Sequence, residues 1–305
     1  MNTFLSLIQT ALELGLITSL TVMALFLSYS MLNVCDLSTD SCFTLGACTG
    51  AVMALTYPAF SLPAAMLAGA LSGFITAILQ TRMGINSLLS GIIVNTGMYS
   101  VNIAILGNAS LININKAKTP FTLMKDLLAE TALAGYYRLI VIVIVVTAVA
   151  LFLSLFLKLR LGLAIRATGD NPQMVNSSSI NPAFTTIIAL CISGSITALS
   201  GALMAQYQRT ANIDIGQGIL TVALASLLIG NSLTKKTAIS LRLTAAIAGA
   251  FIFRLVYTIA LRLNMPAYML KLVSSVIVII AIAGPYLHSQ LPLIRRRVSY
   301  RQEVK

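Results

Sequence analysis

The sequence predicts an all-α protein that crosses a membrane many times, with about nine membrane-entering segments, two of them broken or half helices. The first observation is composition: of 305 residues, 58% are hydrophobic and 9% are charged, and the mean hydropathy is +0.92. Soluble domains carry roughly 25% charged residues, because they need a polar shell. The second observation is a series of long apolar runs, and the third is an internal repeat. Soluble, collagen-like and disordered classes are excluded.

The apolar runs set the number of segments, because a helix needs about twenty apolar residues to cross a bilayer. Two shorter runs, 43–57 and 217–230, are rich in Gly, Ala and Ser. Irregular backbone at membrane depth survives only when protein buries it or when it lines a wet cavity, so we interpret both as half helices. We expect residues 1–290 to form one transmembrane domain, followed by a basic tail, 291–305. The long runs are 4–31, 62–81, 85–107, 139–157, 183–207, 238–262 and 268–287.

The basic residues predict the orientation in the membrane. The net charge is +12, and most Lys and Arg residues lie in the gaps between apolar runs and in the tail. This pattern is typical of the excess of positive charge on cytoplasmic loops and does not require nucleic acid as a partner. We therefore expect the loop 158–182 and the tail to be cytoplasmic. The N-terminus and the loop 108–137 are then extracytoplasmic.

An internal repeat relates the two half helices. CDLSTDSCFTLGA begins at Cys35, and IDIGQGILTVALA begins at Ile213. In each copy an Asp precedes a short small-residue segment, which is followed by a full helix and a basic residue, Arg82 or Arg262. Five membrane segments separate the two Asp residues, so the copies point in opposite directions. An inverted repeat with paired broken segments is typical of transporters. The alternative is chance similarity between apolar stretches.

Polar residues within or beside the membrane segments are candidates for a translocation path. Three of them follow i, i+4, i+7 spacing and share one helix face, which must meet protein or water and not lipid. The alternative for this face is hydrogen bonding between helices. The others flank the two half helices, where the alternative is N-capping by Asp36 or Asp214. The candidates are Asn95, Tyr99 and Asn102 on the shared face, and Asp36, Ser38, Asp214 and Gln217 beside the half helices.

Two opposite charges lie deepest in the long spans. Glu13 and Arg254 are each about eight to ten residues from the extracytoplasmic surface, which is roughly 12–15 Å at 1.5 Å per residue. Equal depth suggests an intramembrane ion pair. The alternative for Arg254 is that its side chain snorkels to the near surface.

The cytoplasmic loop 158–182 contains the most specific motif, GLAIRATGDNPQMVNSSSIN. Two Asn-Pro pairs predict helix starts at Pro172 and Pro182, with a helix of about eight residues between them. We expect Gly169 to permit a backbone turn. As an ordinary loop, this stretch would only carry positive charge, such as that of Arg166. As a functional element, it would be a short helix that docks in another protein.

This loop resembles the coupling loop of ABC-importer permeases of the branched-chain amino acid and ribose type. Within that family the chain looks most similar to permeases for aromatic amino acids such as tryptophan or tyrosine. The segment Asp36-Leu37-Ser38 also resembles the family, which often has Gly where this chain has Asp40 and Ser41. The residues that match the coupling motif are Gly162, Arg166, Ala167, Gly169, Asn171, Pro172, Ile180 and Asn181. The resemblance implies that the ATPase-coupling residues are Gly162, Arg166, Ala167, Gly169, Asp170, Asn171 and Pro172.

The resemblance implies partners and a mechanism that the residues alone do not. Such permeases form dimers, two ATPase subunits dock on their coupling loops, and an extracytoplasmic binding protein delivers the solute. The chain has no GxxxxGK[ST] phosphate loop, so we expect no cofactor on this chain and expect ATP and Mg²⁺ in the partner ATPase. The resemblance also implies a bacterial plasma-membrane location.

Three alternatives to an amino-acid importer are open at this stage. The first is a sugar or nucleoside permease of the same kind. The second is a stand-alone secondary transporter, which would need ionisable ion ligands at mid-membrane, where only Glu13 and Arg254 come near. The third is an intramembrane enzyme, and the sequence has no paired Asp, HExxH or Ser-His set for one.

Overall fold

The computed structural model describes residues 2–128, 134–234, 238–262 and 274–279, together with positions 269, 272 and 283. The last predicted span, 268–287, therefore lies largely outside the described residues. The basic tail, 291–305, lies wholly outside them.

The residues described up to 262 fold into eleven α-helices and one pair of antiparallel strands, and 274–279 is also helical. Helix α1 continues from Leu25 into π-helical turns over Phe26–Met31, and short 3₁₀ turns precede α3 and α6. The strands are β1 (Leu111–Asn113) and β2 (Thr210–Asn212), and Ile112 is the register partner of Ala211. The helices are α1 (Asn2–Leu25), α2 (Thr39–Thr56), α3 (Ser61–Thr81), α4 (Ser87–Ile105), α5 (Pro120–Leu127), α6 (Tyr137–Phe156), α7 (Arg160–Asp170), α8 (Pro172–Ser177), α9 (Pro182–Gln208), α10 (Ile219–Leu233) and α11 (Ile239–Arg262).

The predicted all-α, multi-pass architecture is confirmed. Six helices among the described residues are long and apolar enough to cross a membrane, and they coincide with six of the seven long apolar runs. Helix α10 is a shorter apolar helix over Ile219–Leu233. The count of nine segments and the inverted repeat stay predictions. The six helices are Ile8–Met31, Pro58–Thr81, Ser87–Ile105, Tyr137–Phe156, Pro182–Gln208 and Ile239–Ala260.

Helix α9 is the centre of the packing, and small residues bring its neighbours close. A Cβ added to Gly46 of α2 would lie 2.0 Å from the carbonyl oxygen of Ala198. The hydroxyls of Ser193 and Ser200 donate to backbone carbonyls of α1, at Ala24 (3.0 Å) and Ile17 (2.7 Å). Between membrane helices, association depends on such close packing and interhelical hydrogen bonds, because lipid is as apolar as the side chains.

This packing makes Gly46 a sensitive position. We expect Gly46→Ala to destabilise the protein by about 1–3 kcal/mol, because the new methyl group meets backbone that cannot rotate away. Gly97→Ala is the matched control, since nothing lies within 4 Å of its added Cβ. Thermal unfolding of the purified protein in detergent checks this. Equal transition temperatures for the two variants would contradict the close approach.

The two ends of α9 define two faces of the molecule. At its start, the hydroxyls of Thr168 (α7) and Thr185 (α9) are 2.9 Å apart, so we call this end the α7 face. At its other end α9 leads into β2, and we call that end the sheet face. Twenty-seven helical residues separate the faces, a length of about 40 Å at 1.5 Å per residue.

Candidate functional site

Helices α2 and α10 begin near the middle of the fold and run in opposite directions. Near the start of α2, the thiol of Cys42 donates to the carbonyl of Gly194 (3.3 Å), in the middle of α9, and further along Gly50 packs against Ala202. Helix α2 therefore runs towards the sheet face. Helix α10 packs antiparallel to α11, with Gly230 against Ala245, and runs towards the α7 face.

The two helix starts are joined by one carboxylate. Asp40, in the first turn of α2, accepts hydrogen bonds from the backbone N–H groups of Gly218 (3.0 Å) and Leu220 (2.7 Å) at the start of α10. Both helix N-termini carry partial positive charge, and the carboxylate lies where the two would otherwise repel. The backbones also approach closely, since a Cβ on Gly216 would be 2.1 Å from the Asp40 carbonyl oxygen. Asp40 is therefore the link between the two segments.

The alternative interpretation, that Asp36 or Asp214 caps a half helix, is wrong. The Asp36 carboxylate accepts from the Ser38 N–H (2.9 Å) and hydroxyl (2.6 Å) and so shapes the turn before α2, without capping that helix. Burial raises the pKa of the Asp36 carboxyl, and the hydrogen bonds from Ser38 oppose that shift. Asp214 accepts from the side chain of Gln217 and does not cap α10. Each cap was sought within its own segment, whereas Asp40 of α2 caps the start of the other helix, α10.

A polar pocket of about 270 Å³ lies beside this junction. It is lined from α4 by Asn95, Tyr99 and Asn102, as the shared face predicts, and from the other side by Gln217. The Asn102 amide donates to the carbonyl of Ser41 (3.3 Å), while its own Oδ1 is buried without a hydrogen-bond partner. The remaining lining residues are Asp40, Ser41, Thr44, Thr96 and Ile213.

Four of the seven predicted path residues therefore meet in one pocket, and three do not line it. Asp36 and Ser38 are 4% and 1% exposed and are buried below α2, where Thr76 donates to the Ser38 hydroxyl (3.3 Å). Asp214 does not line the pocket, but its carboxylate accepts a hydrogen bond from the Gln217 side chain, which does. Sequence reasoning missed five lining residues. Asp40 and Ser41 were noted only as departures from the family's Gly, and the types of the other three give no signal by themselves: Thr44, Thr96 and Ile213.

The predicted ion pair between Glu13 and Arg254 is not formed. The Glu13 carboxylate accepts from the hydroxyl of Tyr207 (2.8 Å) and the amide of Gln9 (3.1 Å). Arg254 packs beside Gly15, two residues after Glu13, and successive residues of a helix are turned by about 100°. Glu13 therefore faces α9, and Gly15 faces α11.

The loop between α6 and α9 forms two helices, α7 and α8, and projects from the α7 face. The Asn171 side chain caps α8 by accepting from the N–H groups of Gln173 (3.0 Å) and Met174 (3.1 Å), and Asn181 caps α9 by accepting from Ala183 (2.9 Å). The predicted starts at Pro172 and Pro182 are confirmed. Helix α8 has six residues instead of about eight, and helix α7 was not predicted.

Gly169 does not form the predicted turn but makes a close helix contact. It is helical, in the last turn of α7, and an added Cβ would lie 2.1 Å from the carbonyl oxygen of Met31 at the end of the first span. Gly162 is likewise buried, against the backbone of Phe156. These close contacts fix α7 to the membrane helices.

The other motif residues of the loop point outwards to different degrees. Arg166 is half-buried, whereas Ala167, Asp170 and Asn171 are exposed. Helix α8 is exposed apart from Val175, and Met174 is 68% exposed. The loop is thus anchored on one side and free on the other.

The chain is similar to known permeases over nearly its full length. Residues 7–282 match the family described as the permease component of branched-chain amino acid transport systems. A tyrosine transport system permease protein of Clostridioides difficile (strain R20291) is 33% identical over 280 residues, covering 91% of this chain and 90% of that protein. An uncharacterised protein of Rickettsia prowazekii (strain Madrid E) is 28% identical over 291 residues, covering 92% and 98%. No solved structure gives a significant match.

Proposed function

The chain belongs to the family of permease components of branched-chain amino acid transport systems, and from this premise we propose that it is the membrane subunit of an ATP-driven importer for an amino acid. Proteins of this family are membrane components of transporters and are not themselves enzymes. The chain is a multi-pass plasma-membrane protein. The relative described as a tyrosine permease supports an aromatic amino acid as the solute.

The observation that carries this proposal is the polar pocket at the junction of α2 and α10. Its volume of about 270 Å³ is slightly below the roughly 300–1,000 Å³ of drug-sized ligand sites, which suits one small solute. Helix N-termini that meet at mid-depth supply polar backbone groups where lipid cannot. The unpartnered Oδ1 of Asn102 is an acceptor for a donor group such as an ammonium.

We propose that a second copy of the chain closes the pocket. Asn95, Thr96 and Tyr99 are exposed along α4, one of the membrane-crossing helices, and Tyr99 is 50% exposed. Amide and hydroxyl groups on a span are costly against lipid, so this face needs protein or a wet cavity beside it. In a homodimer, the two α4 faces would enclose a shared central path.

The partner on the other side is an ATPase subunit, for which α7 and α8 are the docking element. Gly162 and Gly169 hold α7 against the spans, so motion imposed on this loop would pass to α1 and α6. An extracytoplasmic binding protein would deliver the solute at the sheet face. A sugar or nucleoside as solute, or a secondary transporter driven by an ion gradient, are the competing functions.

Uptake into vesicles tests the proposal. The permease is reconstituted with an ATPase and a binding protein sought among its neighbouring genes, and labelled L-tyrosine uptake is measured with leucine and ribose as competitors. We expect uptake to require internal ATP and the binding protein and to survive an ionophore that abolishes ion gradients. Uptake that needs the gradient and ignores ATP would establish the secondary transporter instead, and competition by ribose alone would establish a sugar permease.

A further inference from the structure

Arg254 is a cationic residue within α11, one of the membrane-crossing helices. Its Nε is buried and has no hydrogen-bond partner, and its guanidinium carbon lies 5.1 Å from the centre of the Tyr257 ring. None of the acidic residues that the structure describes forms an ion pair with it, and Glu13 is already bonded to Tyr207. A cation at such depth is costly unless something compensates it, and intramembrane charges usually mark a pathway.

Arg254 lines a cavity in which it is the one charged residue among the described lining residues. The cavity measures about 460 Å³ and is walled by the first turn of α10, from Gly218 to Val222, and by Tyr257. The positive end of the α10 dipole faces this space, but the Asp40 carboxylate already accepts from two of its N–H groups, so Arg254 is the main source of positive charge here. No acidic residue is among the described residues that line it. Gln217 lines both this cavity and the polar pocket beside α4, so the two adjoin.

We propose that Arg254 binds the carboxylate of the transported solute, which occupies the space on both sides of Gln217. The planar guanidinium matches a carboxylate with two parallel hydrogen bonds, which an ammonium cannot do. The inference rests on the proposed transport function and extends it: the solute class is a free carboxylic acid, as in an amino acid. An anionic lipid headgroup offers similar chemistry, but the shared wall with the polar pocket favours the solute.

Charge at the site is tested in the purified permease alone. Thr221 lines the cavity and is exposed, so Thr221→Cys offers a reporter thiol, with the reaction of the parent protein subtracted as background. The measured quantity is the labelling rate of an anionic methanethiosulfonate reagent divided by that of a cationic one. We expect this ratio to be about tenfold higher with Arg254 than with Arg254→Gln. Arg254→Lys should keep the preference, since it keeps the charge. Equal preference in all three would overturn the proposal.

Recognition of the carboxylate is tested on the unsubstituted Arg254 background, so it does not depend on Arg254→Gln folding. Protection of the Thr221→Cys thiol is compared for L-tyrosine against tyramine, L-leucine against isopentylamine, and acetate alone. We expect the acids to protect and the matched amines, which lack the carboxylate, to protect at least tenfold less well. Equal protection by acids and amines would overturn the site even if tyrosine is transported.

Two further outcomes separate the site from its alternatives. Protection by acetate or leucine in the absence of any tyrosine uptake would support the site and refute tyrosine as the solute. The same labelling is measured in nanodiscs with and without phosphatidylglycerol. If this lipid slows labelling of the Thr221→Cys thiol and the added acids do not, the cavity binds a lipid headgroup and the proposal is overturned.

Discussion

Met174→Glu is expected to reduce ATP-driven uptake and solute-stimulated ATP hydrolysis at least thirtyfold while the permease remains folded and inserted. Met174 is 68% exposed on α8, so the carboxylate meets water in the isolated permease and costs the fold little. In the complex with the ATPase, the same side chain would be buried at the centre of the docking element. Losing a central interface contact costs about 2 kcal/mol or more, which is roughly a thirtyfold loss of affinity.

The control is Met83→Glu, which changes the same residue type at nearly the same exposure, 65%, outside the docking loop. We expect it to retain uptake and co-purification of the ATPase. Reconstituted vesicles report uptake and hydrolysis, and affinity purification reports docking. Wild-type activity of Met174→Glu would show that α8 is a linker and not a docking element. Equal loss in both variants would point to a general effect of negative charge at the α7 face.

Long apolar runs made most of the fold predictable, because the bilayer requires continuous helices of a minimum length. The Asn-Pro starts of α8 and α9 were predictable too, since proline at the first helical position and an asparagine cap are local properties. Helix α7 was not, because its sequence RLGLAIRATGD mixes basic, small and apolar residues. Its helical state depends on packing at Gly162 and Gly169, which no local pattern reveals.

Part of the pocket was predictable, because the spacing of residues along one helix is a local property. Asn95, Tyr99 and Asn102 share a helix face by spacing alone, so their convergence follows from helix geometry. The rest of the site comes from contacts over long sequence distances. Asp40 and its partner Gly218 are 178 positions apart. Position along α1 likewise does not predict that the Glu13 side chain faces α9 instead of α11. Depth follows from counting residues, but direction around a helix depends on tertiary packing.

The second large effect is expected at Asp40. In Asp40→Ala the N–H groups of Gly218 and Leu220 lose an ionised acceptor, and hydrogen bonds to charged groups contribute about 1.5–3 kcal/mol each. Since Asp40 is partly accessible, water would recover some of this loss, and we expect a net destabilisation of about 2–4 kcal/mol. The start of α10 would also separate from α2, which disrupts the wall that Gln217 forms between the pocket and the cavity beside Arg254, so uptake should fall with stability.

Asp40→Asn separates the hydrogen bonds from the charge. An amide has one acceptor oxygen and presents N–H groups at the other position, so only one of the two backbone donors can be satisfied. We therefore expect the order wild type, Asn, Ala in thermal stability and in uptake. Asp126→Asn, at an exposed acidic residue of α5, is the matched control and should change neither. If Asp40→Ala unfolded at the wild-type temperature, the two half helices would not be held together by this carboxylate, and the pocket would need another support.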